Sequence, residues 1–323
     1  GLRASPWTPR VPRNQDPACE EGDSVLDTKG WIVKLPADVA ELYPFSSQYH
    51  QVGDVQMHYL DEGSGKPLLC VHGNPTWSFY FRNLVKGFRP RRRVVAPDHI
   101  GCGLSDKPQH YRYTLAKHVS NLESLVLSLD LRDIDLLVHD WGGPIGLSVA
   151  ARHPERFSKI IITNTAAFRC PVLPRLLWLA RIPGLGEVLI RGLNAFVLTT
   201  LWTATSHPQR FRGALRKGFV FPYNNWANRI ATARFVQDVP MNSNHSSWSD
   251  LLQLERSLPR LRDKPILLLW GERDWCFTTA MRDRFLDIFP HAQSLGLSRA
   301  HHLLFEDEPE ACLAALRGFL GES

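Results

Sequence analysis

The alternation of apolar and polar positions changes rhythm along the chain, and each change marks a part. Residues 1 to about 42 show little periodicity and are rich in Pro, Arg, Asp and Glu, which predicts an appended arm, partly disordered or packed on the surface or a partner. From about Tyr43 the pattern becomes strand-like with turn punctuation: SQYHQV, the turn at Gly53 and Asp54, VQMHYLDEG and the turn GSGK. Beyond it, KPLLCVHG, RRVVAPDHIG, IDLLVHD, KIIITN and PILLLWG are short, apolar and β-branched or Leu-rich. Each ends near a Gly, Asp or Asn, as strands buried on both faces do. Between them, YTLAKHVSNLESLVLSLDL carries Leu115, Val119, Leu122, Val126 and Leu129 at helical spacing. Strand and helix alternating in this way predicts a parallel α/β sheet.

The rhythm breaks between roughly Thr165 and Pro265, where no clear buried strand occurs but apolar helical stretches do: Pro174 to Ala180, Leu185 to Leu201 and Trp226 to Val236. This predicts a helical cap inserted after KIIITN. The expected division is an arm over 1–42, the first part of an α/β core over 43–164, a cap over 165–250 and the second part of the core over 251–323. The longest apolar region, Leu176 to Trp202, is interrupted by Arg181, Pro183, Glu187 and Arg191, whereas a spanning helix needs about 20 nearly uninterrupted apolar residues.

Composition changes this picture little. With 323 residues and 44% hydrophobic content, the chain can bury a sizeable core. Its six cysteines lack both zinc-site spacing and the density of a disulfide scaffold, so reduced thiols and a cytoplasmic location are expected, with no basic and apolar leader opening the chain. The net charge of +6 owes part of its value to RPRRR (Arg89 to Arg93), which sits in a helix-to-strand connection without aromatic interleaving, so no nucleic-acid partner is expected.

In an open parallel sheet ligands bind beyond the carboxyl ends of the strands, and here the residues that end each run are reactive. They are HGNPTW (His72 to Trp77), Asp140 with Trp141 in LLVHDWGGP, WGERDW with Asp274, and RAHH with His301 and His302. Nucleophile, acid and histidine follow one another in the order of an α/β-hydrolase triad. His99 and Asp98 in PDHIG, and His139, are not spaced as metal ligands and are expected to shape strand ends, and GCGLSD lacks the setting of a dinucleotide loop.

HGNPTW, PDHIGCGLSDKP, VHDWGGPIG, WGERD and a His followed by EDEP resemble the haloalkane dehalogenase family of α/β-hydrolases, over nearly everything from Tyr43 to Leu320. NTAAF, NAF and WANRIATARFVQDVP are similar to its third subfamily, which includes the β-lactone decarboxylases of bacterial long-chain olefin biosynthesis. The resemblance implies a mostly parallel eight-stranded sheet flanked by helices, with an inserted helical cap. It also implies Asp140 as nucleophile, His302 as general base and Asp274 as triad acid. Asn74 and Trp141 would hold a departing halide through side-chain N–H groups and receive an oxyanion through their backbone N–H groups. His301 stands where the family usually has glycine and is the alternative base. Glu272 is the alternative acid, while no carboxylate lies between Lys159 and Gly186 to serve from the strand after the nucleophile helix.

A carboxylate at the nucleophile position suits displacement at saturated carbon, giving an alkyl-enzyme ester. The expected function is therefore haloalkane dehalogenation, the ester being hydrolysed to an alcohol. The alternative is decarboxylation of a long-chain cis-β-lactone to an alkene and carbon dioxide. Epoxide hydrolysis ranks behind both because the cap contains only Tyr223 where such enzymes use paired cap tyrosines, and fluoroacetate dehalogenases carry arginine where this chain has Trp141. A non-catalytic ligand receptor is the remaining reading. No metal or organic cofactor is expected, and the partners anticipated are a small apolar halogenated or lactone substrate and halide ion. The apolar cap suggests self-association or membrane-surface contact, and its aromatics Trp178, Phe196, Trp202, Phe219, Phe221 and Trp226 are expected to be pocket walls or core.

Overall fold

The computed structural model describes residues 25–26, 32–169 and 174–322. Two short strands, β1 (Val25–Leu26) and β2 (Ile32–Val33), pair antiparallel apart from the main sheet. That sheet contains β3 (Ser47–Val52), β4 (Val55–Glu62), β5 (Pro67–Val71), β6 (Arg93–Pro97), β7 (Ile134–His139), β8 (Phe157–Thr163), β9 (Ile266–Gly271) and β10 (Gln293–Leu297). The order is β10-β9-β8-β7-β5-β6-β4-β3, and all neighbours are parallel except where β4 meets β3 and β6.

The two-residue period of a strand sends alternate side chains to opposite layers. In β7, Leu136 and Val138 join the layer built with helices Leu115–Ser128, Gly142–Arg152 and Trp248–Ser257. Leu137 faces the other, built with Arg82–Phe88 and Pro309–Leu320. Helix Leu115–Ser128 starts on Thr114, whose hydroxyl oxygen accepts from the Lys117 N–H at 3.4 Å, a side-chain cap for an otherwise unpaired donor.

Several boundaries differ from the apolar pattern. The arm expected to run to residue 42 contains helix Ala37–Leu42, whose Val39 is fully buried beside Tyr43 in the second layer and whose Asp38 binds Lys217 at 2.5 Å. One buried valine in a six-residue helix gives too little periodicity to be seen. Most of the rest of the arm lies outside the described residues. Strand β10, expected from the resemblance alone, is invisible to the pattern because four of its five residues are exposed at the sheet edge.

Within RPRRR, three arginines form ion pairs: Arg89 with Glu62, Arg92 with buried Asp135 and with Glu322, and Arg93 with Asp61. Helices fill the region between β8 and β9. The stretch Leu185 to Leu201 read as a single helical run is two helical pieces, Leu185–Gly192 and Ala195–Thr203, bent by 72°. Asn194 breaks it in the left-handed conformation, φ +55°, with its side-chain N–H donating to the Tyr223 carbonyl at 3.2 Å. Phe219 is core, but Trp178, Trp202 and Trp226 are neither core nor pocket wall; they face outward.

Candidate active site

Strand β7 is buried along its whole length and releases the chain at Asp140, whose φ is +52°. A non-glycine residue in this conformation costs roughly 1–2 kcal/mol, and surrounding hydrogen bonds hold it there. The Asp140 N–H donates to the Asn164 carbonyl at 3.1 Å, and its carbonyl accepts from the Gly143 N–H at 2.9 Å and the Thr165 hydroxyl at 2.5 Å. The glycine that follows Trp141 has a steric reason: a Cβ on Gly142 would sit 2.0 Å from the Val71 carbonyl oxygen. Gly73 meets the same demand from the other side, since its Cβ would lie 1.9 Å from Asp140 Oδ1.

That clearance lets the loop after β5 reach the nucleophile. The Asn74 N–H donates to Asp140 Oδ1 at 2.6 Å, and the Trp141 N–H also bonds the carboxylate. Burial pushes the Asp140 carboxyl up to about 6, against the pull of His302 and these two N–H groups. The Asn74 side-chain N–H donates to the Thr232 carbonyl of helix Ile230–Gln237 at 3.1 Å. Trp141 packs on Phe235 of that helix, ring centroids 5.2 Å apart. Both side chains are thus oriented by the cap.

His302 Nε2 lies 3.8 Å from Asp140 Oδ2, and its Nδ1 is 2.8 Å from Asp274 Oδ2. Burial opposes its charged form, but the Asp274 charge and hydrogen bond and the Asp140 charge outweigh it, so its pKa is raised. Phe277 stacks on its ring and His139 packs on it at 4.4 Å, with His139 Nε2 bonded to the His302 carbonyl at 2.9 Å. Asp274 Oδ1 accepts the Cys276 and Phe277 N–H groups at 2.8 and 3.1 Å, and its Oδ2 accepts the Asn164 side-chain N–H at 2.9 Å.

The structure brings together Asn74, Asp140, Trp141, Asp274 and His302. The two alternatives stand apart. His301 makes no hydrogen bond to Asp140 or Asp274; its backbone N–H donates to buried Asp307 at 2.8 Å, and Asp307 also accepts from Thr205 and Ser206. Glu272 is exposed and binds Arg282 at 2.9 Å. The loop after β6 is structural. Asp98 accepts the Ser78 and Leu104 N–H groups at 2.7 and 2.8 Å and pairs with His58.

Asn164 ends the run KIIITN, which the sequence showed only as lacking a carboxylate. In the fold it ties the nucleophile turn to the acid loop, its amide also exchanging bonds with Gly271 N and O at 2.8 and 3.0 Å. The roles of Thr232 and Phe277 were missed as well, because a backbone carbonyl and a stacked ring leave no motif.

A cavity of about 230 Å³ ends on Asp140, Asn74, Trp141 and His302. Its remaining wall is mostly hydrocarbon, including Phe168, Ile190, Phe196, Val236 and Leu251. Tyr223, the cap's single tyrosine, is fully buried away from this wall and donates to the Thr76 carbonyl at 3.2 Å. The arrangement can chemically do three things: attack carbon with a carboxylate, receive negative charge on N–H groups, and take a proton at His302 Nε2.

The sequence profile of the alpha/beta hydrolase fold matches residues 66–309. The chain is 40% identical over 288 residues to a cis-3-alkyl-4-alkyloxetan-2-one decarboxylase of Shewanella oneidensis, covering 87% of this chain and 90% of that protein. It is 32% identical over 281 residues to haloalkane dehalogenase 2 of Mycobacterium tuberculosis, covering 85% and 95%. Among solved structures, a point variant of a haloalkane dehalogenase from Agrobacterium tumefaciens C58 superposes with a TM-score of 0.77 at 26% identity, covering 85% of this chain and 96% of the other.

Proposed function

The chain belongs to the α/β-hydrolase fold family, close to its lactone decarboxylases and haloalkane dehalogenases, and from that premise we propose that Asp140 opens the ring of an apolar cis-β-lactone. The observation that carries the reading is the divided carboxylate. Its Oδ1 is held by the Asn74 N–H at 2.6 Å, with the Trp141 N–H also on the carboxylate, while Oδ2 lies at 3.8 Å from His302, beyond hydrogen-bond range, and remains available to attack. The higher identity to a decarboxylase favours a lactone over a halide.

In the proposed reaction Asp140 Oδ2 attacks the saturated ring carbon that bears the ring oxygen. That C–O bond breaks, and its electron pair goes to a substrate carboxylate held by the Trp141 indole N–H and the Asn74 amide. The carboxylate then leaves as carbon dioxide. Its C–C bonding pair becomes the C=C bond as the ester bond to Asp140 breaks, which returns the free carboxylate. No water is consumed. His302, whose charged form Asp274 stabilises, supplies positive charge beside Asp140 while the leaving carboxylate forms.

The second reading uses the same residues on a haloalkane, and the Asp274–His302 pair with its buried 2.8 Å bond favours it, since that pair is built to activate water. Asp140 would displace halide onto Trp141 and Asn74. His302 Nε2 would then take a proton from water attacking the ester carbonyl, whose oxyanion falls on the two backbone N–H groups, and the alcohol would leave with that proton.

Single turnover in heavy-oxygen water separates the two. With a long-chain cis-β-lactone the expected result is alkene, carbon dioxide and an unlabelled Asp140, at a rate at least about 100-fold above bromide release from a matched 1-bromoalkane. Bromide release equal to or faster than lactone loss, with heavy oxygen in the Asp140 carboxylate, would overturn the lactone reading in favour of dehalogenation. Asp140→Ala should abolish both.

A further inference from the structure

Large apolar side chains that escape burial are concentrated in one segment. Among the described residues, Trp178, Leu179, Ile182, Leu185, Val188 and Leu193 are exposed within sixteen positions, and Trp202 follows at 70% exposure. Outside residues 178–226 the exposed large apolar residues described are Leu127, Trp275 and Leu295. Helices Arg175–Arg181, Leu185–Gly192 and Ala195–Thr203 pack against one another in succession, so these side chains share one outer surface. Apolar surface of this extent marks a contact site.

Two further observations select the occupant. Between residues 174 and 237 the sequence carries nine basic residues and one acid, Glu187, so this segment alone exceeds the net charge of +6 of the whole chain. The cap that carries this surface is therefore cationic in sum, and an anionic headgroup layer would attract it. The cavity that ends on Asp140 also reaches the outside here, for Leu179 and Trp275 are both exposed and both line it. No described helix is long and apolar enough to cross a membrane by itself, and the apolar pair Leu185–Gly192 and Ala195–Thr203 is bent by 72°.

We propose that this outer cap surface seats on an anionic lipid bilayer, with its tryptophans at the headgroup level, and that the apolar substrate enters the cavity from the membrane. The seating stands on the surface itself; substrate delivery rests on the function proposed above.

The test is co-sedimentation of the full chain with vesicles of phosphatidylcholine alone or with about one third phosphatidylglycerol. The double variant Leu193→Asn/Trp202→Ser, which alters neither the cavity wall nor the residues around Asp140, is compared with Leu295→Asn on β10. Binding to the anionic vesicles should exceed binding to the neutral ones by about tenfold and fall as salt is raised. The double variant should lose about tenfold of that binding and Leu295→Asn none of it, with turnover of a short water-soluble bromoalkane unchanged by either. Equal binding to both vesicles, or a double variant that binds as the parent does, overturns the proposal. So does ultracentrifugation in which the double variant dissociates an oligomer while vesicle binding persists, which would assign the surface to a second copy. Vesicle binding is read without catalysis, so failure of the lactone reaction leaves this result standing.

Discussion

Asn164 offers a test of how the site is held. Its side-chain N–H donates at 2.9 Å to Asp274, the carboxylate paired with His302, and both partners are fully or nearly fully buried. A hydrogen bond to a buried charged group is worth about 1.5–3 kcal/mol. Asp274 keeps three other donors in His302, Cys276 and Phe277, so removing Asn164 should loosen the acid without unpairing it. Asn164→Gly is the suitable variant because the residue sits at φ +29°, where alanine would add strain of its own. If the whole loss falls on the step served by His302, steady-state turnover of a bromoalkane should drop about 10- to 150-fold. The first step, attack by Asp140, needs only the backbone carbonyl of Asn164, which glycine retains. A rapid-quench halide burst should therefore keep its rate within about threefold of the parent. Asn164→Asp supplies a second readout: a carboxylate oxygen would face Asp274 Oδ2 at the distance now spanned by a hydrogen bond, two such groups cannot both ionise, and the acid limb of the pH profile should move upward. A burst that falls in step with turnover, or unchanged turnover beside a lowered unfolding temperature, would refute the positioning role.

Attack requires ionised Asp140, and a carboxyl raised by burial to about 6 loses its charge as pH falls; the ionised fraction drops from about nine tenths at pH 7 to about one tenth at pH 5. The burst rate should follow by about tenfold, and a flat profile over that range would contradict it. Gly142→Ala forces a Cβ to 2.0 Å from the Val71 carbonyl oxygen, which should cost about 3 kcal/mol by urea unfolding and displace Asp140 enough to abolish the burst. Arg82 and Glu306 form a buried two-bond ion pair beneath the His302 loop. Arg82→Met should cost about 3–5 kcal/mol by leaving a buried carboxylate unpaired, and adding Glu306→Leu should restore most of it; equal losses in the single and double variants would show that the pair is not responsible.

What the sequence determined by itself was what local chemistry writes down. Buried strands read as continuous apolar runs, and reactive residues ended those runs, so HGNPTW, Asp140 with Trp141, Asp274 and the pair His301 and His302 stood out before any fold was drawn, while the family resemblance implied their roles. What it left open were choices that depend on direction in space. His301 and His302 are adjacent and chemically identical, and only the loop pinned to Asp307 turns one of them toward Asp274. Asn164 carries no catalytic signature, yet the pairing of β8 between β7 and β9 sets it between nucleophile and acid. The edge strand β10 and helix Ala37–Leu42 bury too few side chains to impose a period. The cap tryptophans looked like core because helical spacing is the same for a helix whose apolar face turns inward and one whose apolar face turns out; only the packing of those helices, and the 72° break at Asn194, decided which way they face.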